Sequence, residues 1–94
     1  MFVSKAEYRV NANFAQRNLE NIKAFLPLAL EHLRPGSSYS VSVSKDGRSF
    51  LHLFIHEAEQ DVEILGEIPA FHQFLREVME GCEIPPSMTS FAQI

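Results

Sequence analysis

Tryptophan is absent from this chain of 94 residues, cysteine occurs once and glycine only four times. Each scarcity excludes something. With Cys82 alone, no internal disulfide can form. Gly36, Gly47, Gly66 and Gly81 stand far apart, each suited to a turn or cap, so no Gly-rich phosphate loop exists. No run approaches the roughly 18 apolar residues of a spanning helix. Basic residues are also short, 8 Lys and Arg against 12 Asp and Glu, for a net charge of −4. That balance argues against nucleic acid or an anionic membrane as the main partner. The opening Met1-Phe2-Val3-Ser4-Lys5 lacks a basic region followed by an apolar one, so no secretory signal is visible and a cytoplasmic location is expected.

What is present reads as one domain over residues 1–94, ordinarily globular at 46% hydrophobic residues. Tyr39 to Ser44 alternates apolar and polar, and Ser49 to His56 alternates aliphatic with aromatic or His. Between them lies Lys45-Asp46-Gly47-Arg48, an Asp-Gly turn that predicts a hairpin because Gly accepts positive φ. A first strand places Phe2, Ala6, Tyr8 and Val10 on one face, with Lys5, Glu7, Arg9 and Asn11 on the other. A first helix follows, capped by Asn13 or Asn18, with Leu19, Ile22, Leu26, Ala29, Leu30 and Leu33 as its buried stripe. Pro27 predicts a kink or fraying there, and Pro35-Gly36 ends it. Ile64-Leu65 suggests a single helical turn in the acidic stretch after the hairpin. Pro69 then opens a second helix that ends at Gly81, and Pro85-Pro86 leads into a last strand, Met88 to Ile94. The order is β-α-β-β-α-β, an α+β ferredoxin-like plan with a four-stranded antiparallel sheet.

Helices in this plan cover one sheet face. The aliphatic set Tyr39, Val41, Val43, Leu51, Leu53 and Ile55 suits that side. Ser38, Ser40, Ser42, Phe50, His52, Phe54 and His56 are then left on the open face, with Arg9 and its neighbours. Two exposed Phe rings beside polar groups mark an interface or a ligand site. A homodimer packed face to face through the sheets, enclosing a polar-lined cavity, is the expectation.

The stretch Glu57, Asp61, Ile64-Leu65, Pro69-Ala70-Phe71 and Phe74, with the turn Arg34-Pro35-Gly36, resembles the antibiotic biosynthesis monooxygenase family. That family's pattern runs Glu-x-Trp-x-Asp-x-x-Ala-Leu, then His, then Ser-Pro-His-Phe-x-x-Phe. The resemblance implies a dimeric α/β barrel with a pocket in each subunit. Glu59 stands at the Trp position, Ala70 at the second His, and a connection about three residues shorter removes the first. Haem degradation is therefore not expected. Cofactor-free oxygenation of a small aromatic or quinol-like molecule is.

His52 is the predicted catalytic base, its ordinary pKa lying near 6.5, with Asn11 as hydrogen-bond partner. Ser40, Ser42, Phe50, Phe54 and Arg9 are the predicted substrate contacts, in a pocket between the sheet and the flank of the first helix. His52 and His56 lie four residues apart on a strand, roughly 13 Å, too far to share a metal, so no metal or other cofactor is expected. No Ser-His-Asp signature accompanies the strand-two serines. A small-molecule-binding or purely structural homodimer is the non-catalytic alternative. An RNA-recognition domain shares the element order, and Arg48-x-Phe50-x-His52-Leu53 echoes its third-strand signature. The missing strand-one signature and the acidic surface oppose that reading.

Overall fold

The computed structural model describes residues 1–94. Its strands are β1 (Phe2–Val10), β2 (Ser38–Val43), β3 (Ser49–His56) and β4 (Cys82–Ala92). Its helices are α1 (Ala15–His32) and α2 (Pro69–Gly81), and 3₁₀ segments occupy Ala12–Phe14 and Glu59–Glu67. The strands form one antiparallel sheet in the order β2-β3-β1-β4. This is the β-α-β-β-α-β arrangement expected, with the helices on one face. No helix is long and apolar enough to cross a membrane.

The hairpin forms as its residues dictate. Gly47 adopts φ +76°, and its N–H reaches the Ser44 carbonyl at 2.9 Å. The Asp46 carboxylate accepts from the Ser44 hydroxyl and the Arg48 N–H, which fixes the register of both strands. At the other end of the sheet, Gly36 takes φ +86° with the Glu57 side chain packed against it.

Several local expectations change. α1 runs unbroken through Pro27, whose exposed position lets water reach the Lys23 carbonyl that loses its N–H donor. No side chain caps α1: Asn13 sits in the preceding 3₁₀ turn, and Asn18 lies inside the helix and fully buried. The single turn expected around Ile64-Leu65 is a nine-residue 3₁₀ segment. β4 begins at Cys82, six residues before Met88, because an edge strand tolerates Pro85-Pro86 where it needs no N–H, with register shifts opposite Glu7–Val10.

The largest correction concerns β3. Phe50, His52, Phe54 and His56 are buried beneath the helices, and Leu51, Leu53 and Ile55 lie on the open face. The faces expected for β1 and β2 stand as read: Tyr8 pairs with Phe50, and Tyr39 with Phe54, on the covered side. Both faces of β3 are apolar, so hydrophobicity alone does not choose between them. Volume does. The rings of Phe25, Phe71 and Phe74 come down from the helices and meet Tyr8, Tyr39, His52 and Phe54 in a continuous aromatic core. The three aliphatic side chains would leave that space unfilled.

Candidate active site

The flip of β3 moves the site to the covered side of the sheet. A cavity of about 400 Å³ lies between the sheet and the roof formed by α2 and the 3₁₀ segment Glu59–Glu67. That is near the small end of the roughly 300–1,000 Å³ typical of small-molecule pockets. Phe54, Leu65, Phe71, Phe74, Val78 and Met88 give it apolar walls. Its polar lining centres on Tyr8, Tyr39 and His52.

These three form one chain. The His52 Nε2 lies 2.8 Å from the Tyr8 hydroxyl, and its Nδ1 lies 2.7 Å from the Tyr39 hydroxyl. The Asn18 amide extends the chain from α1, donating from Nδ2 to the Tyr8 hydroxyl at 3.0 Å. Pairing explains the assembly. Tyr8 stands opposite Phe50 and Tyr39 opposite Phe54, so each is a diagonal neighbour of His52 on the same sheet face. Phe25 stacks on the imidazole at a centroid distance of 6.2 Å, and Phe74 tilts over it at 5.2 Å.

Burial among rings, with no carboxylate nearby, pushes the His52 pKa down to about 4. Burial likewise raises both tyrosines above the ordinary phenol range. At neutral pH the chain is therefore uncharged. It can hold and pass a proton or donate a hydrogen bond, and it strongly resists carrying charge.

The remaining histidines have structural partners. His56 donates from Nδ1 to the Ala58 carbonyl at 2.7 Å, which leaves Nε2 to accept from the Ser4 hydroxyl at 3.0 Å. His72 donates to the Gly66 carbonyl and His32 to the Leu28 carbonyl. Asp61 is buried in the roof, accepting from the Ala58 N–H and pairing with Arg34 at 3.2 Å. No three His, Cys, Asp or Glu side chains converge as metal ligands.

Of the residues selected from sequence, His52 and Phe54 line the cavity. Phe50 is buried beside them, stacked on Tyr8 at 5.4 Å. Ser40 and Ser42 are exposed on the opposite sheet face, so they do not meet His52. Arg9 is also on that face, its guanidinium engaged by Asp46 at 2.8 Å, by the Ser49 hydroxyl and by Glu83. Asn11 borders a separate surface groove with Asn13, Glu77 and Glu80, while the hydrogen-bond partners of His52 are the two tyrosines. The cavity walls come from α2 rather than from the flank of α1. Tyr8, Tyr39 and Asn18 are the residues that sequence reasoning missed. The two tyrosines were placed on the helix-covered face, and only the inverted reading of β3 separated them from His52.

No family model matches the chain, and no curated protein matches it in sequence. Solved structures match it in fold. One is a Nitrosomonas europaea protein named as an antibiotic biosynthesis monooxygenase, at TM-score 0.85 and 14% identity, covering 100% of this chain and 99% of that one. A Caulobacter crescentus protein of the same designation gives TM-score 0.80 and 14% identity, covering 99% and 89%. A Streptomyces coelicolor monooxygenase, solved in complex with nanaomycin D, gives 0.70 and 18%, covering 99% and 87%. The chain therefore shares, from end to end, the ferredoxin-like fold of the solved antibiotic biosynthesis monooxygenases that its β3–α2 connection resembles.

Proposed function

We propose that this chain is a cofactor-independent monooxygenase that oxidises a small aromatic or quinol-like molecule in the cavity beneath α2. What carries this is His52, held neutral between two tyrosine hydroxyls on the wall of a mostly apolar cavity. The monooxygenase names of the fold neighbours support it, as does the nanaomycin D bound in the Streptomyces coelicolor structure.

The reaction in view converts a ring CH₂ flanked by aromatic rings into a carbonyl. A C–H proton leaves, and the electron pair left on carbon adds to dioxygen. The resulting peroxide takes up a proton, and the hydroperoxide then expels water with loss of the second C–H proton. One oxygen atom stays in the product and one leaves as water, so the substrate supplies all four electrons. A mostly apolar cavity favours this because a ligand seated in it displaces water from the carbanion. Both imidazole nitrogens are occupied, so a departing proton reaches His52 only through a tyrosine hydroxyl. A pKa near 4 makes the imidazolium a transient holder that returns its proton to the peroxide.

A homodimer belongs to this proposal, through a face other than the one Phe50 and Phe54 would have made. Val3, Leu51, Leu53, Ile55 and Phe91 lie on the uncovered side of the sheet, an apolar patch that a second copy would cover. A ligand-binding dimer without catalysis is the second reading, favoured by the weak basicity of the buried His52 imidazole.

Oxygen uptake with anthrone tests the proposal. His52→Ala should slow uptake by about 10²–10⁴, with circular dichroism showing that the fold persists and His52→Gln as a second, less disruptive variant. Full activity in both variants would reject the role of His52. No uptake, together with ligand-dependent thermal stabilisation, would leave the non-catalytic binder.

A further inference from the structure

The chain of hydroxyls has a direction, and Asn18 sets it. Tyr8, neutral His52 and Tyr39 carry three exchangeable protons between them but share only two hydrogen bonds. One proton is always left over. If His52 bears its proton on Nε2, it donates to Tyr8, Tyr39 donates to Nδ1, and the spare O–H belongs to Tyr8. If the proton is on Nδ1, Tyr8 donates to Nε2, Nδ1 donates to Tyr39, and the spare O–H belongs to Tyr39.

Asn18 separates the two cases. It is fully buried and donates from Nδ2 to the Tyr8 oxygen, while its own Oδ1 has no partner. A tyrosine oxygen that already accepts one hydrogen bond is polarised to donate its proton onward. The opposite direction would make Tyr8 accept from two donors and strand its own proton beside the Asn18 N–H. We infer that Asn18 imposes a single direction, Asn18 to Tyr8 to His52 to Tyr39, so that Tyr39 presents one unpaired O–H to the cavity and selects ligands carrying an acceptor oxygen.

A buried O–H without an acceptor is costly, and the cavity is where its partner belongs, because Tyr39 lines it. The ligand class follows: a small planar aromatic molecule with one ring carbonyl or enolate oxygen against Tyr39, the rest lying on apolar walls. This rests on the cavity being a ligand site as proposed above, and it deepens that proposal by naming the group recognised. In that reaction the developing enolate oxygen sits on the Tyr39 donor, while Tyr8 remains oriented toward the free lone pair of His52 to relay the proton. Tyr39 touches the ligand oxygen, and in its recognition Asn18 acts as a positioning residue through Tyr8 and His52, which keeps its separate part in moving the proton.

Two measurements on the intact protein test this without any turnover. The first is the ¹⁵N spectrum of the His52 ring between pH 6 and 8, in which two-bond couplings to the ring C–H groups identify the protonated nitrogen. The expected result is a neutral ring protonated on Nδ1, and in Asn18→Leu a shift toward a mixture of both tautomers. A ring protonated on Nε2, a charged ring at pH 6, or an Asn18→Leu spectrum unchanged from wild type would overturn the assigned direction. If Asn18→Leu does not fold, the wild-type tautomer still decides. The second measurement compares binding of α-tetralone and of tetralin, which lacks its carbonyl oxygen. Tyr39→Phe should lower the ketone-to-hydrocarbon affinity ratio by about 2- to 10-fold, the worth of one neutral hydrogen bond, with tetralin binding retained. An unchanged ratio would overturn the role of Tyr39. Failure of oxygenation with these results intact would remove the monooxygenase proposal and leave the donor assignment standing.

Discussion

Acid should weaken this fold earlier than its carboxylates alone require, because of His52. In the unfolded chain this imidazole titrates near its ordinary value of 6.5, and in the folded protein near 4. Between those values the unfolded state binds a proton that the folded state refuses, so stability rises with pH across that window and is lost as pH falls. The contribution is complete above about pH 6.5. At about 1.36 kcal/mol per pH unit, lowering pH from 7.5 to 5 removes about 2 kcal/mol, and the loss approaches about 3 kcal/mol near pH 4. His52 is 6% exposed, so little solvent screening reduces that figure. The Asp46 and Glu77 carboxylates, held low by Arg9 and Arg17, lose their contribution at lower pH and add little above pH 5. Urea unfolding at several pH values, in wild type and His52→Gln, isolates the effect. The wild type should lose about 2 kcal/mol more than the variant between pH 7.5 and 5. Equal losses in the two proteins would refute the claim that His52 is kept neutral by burial.

Leu53→Asp places a charge at the centre of the uncovered sheet face, and light scattering should show the homodimer giving way to monomer with unchanged far-UV circular dichroism. A monomeric wild type at micromolar concentration would remove the dimer from the account. Ala6→Leu adds volume to the cavity floor beside His52. It should abolish stabilisation by α-tetralone in a thermal melt while shifting the melting temperature of the free protein little. Undiminished stabilisation would place the ligand elsewhere.

Element order was legible because each signal was local. The Asp46-Gly47 turn, the helical spacing that includes Ile22 and Ala29, and Pro69 at the start of α2 all act through near neighbours, although the fully buried Phe25 was not part of the stripe as read and Leu30 is exposed. The polarity of β1 and β2 was legible for the same reason: Lys5, Glu7 and Arg9, and Ser38, Ser40 and Ser42, alternate cleanly with apolar residues. β3 offered no such contrast. Its two faces were aliphatic and aromatic, and the choice depended on the volume between sheet and helices, a property of the assembled fold. That single inversion carried the dimer surface and the serines with it, placing Ser40 and Ser42 beside His52 when they lie across the sheet. His52 was found because an imidazole among apolar residues is conspicuous. Its partners were not, since Tyr8 and Tyr39 reach it diagonally across strand pairings whose register no local motif specifies. Asn18 read as a cap because Asn favours helix starts. Its burial inside α1 makes sense only once the Tyr8 hydroxyl beneath it is known.

Oxygen-isotope labelling tests the central claim most directly. Purified protein is supplied with anthrone and ¹⁸O₂, with no added metal or organic cofactor, and the product is read by mass spectrometry. The account predicts anthraquinone carrying one ¹⁸O at the new carbonyl, formed well above the rate in buffer, with Ala6→Leu reduced to the buffer rate. Unlabelled product, or a wild-type rate equal to that of buffer or of Ala6→Leu, would contradict it.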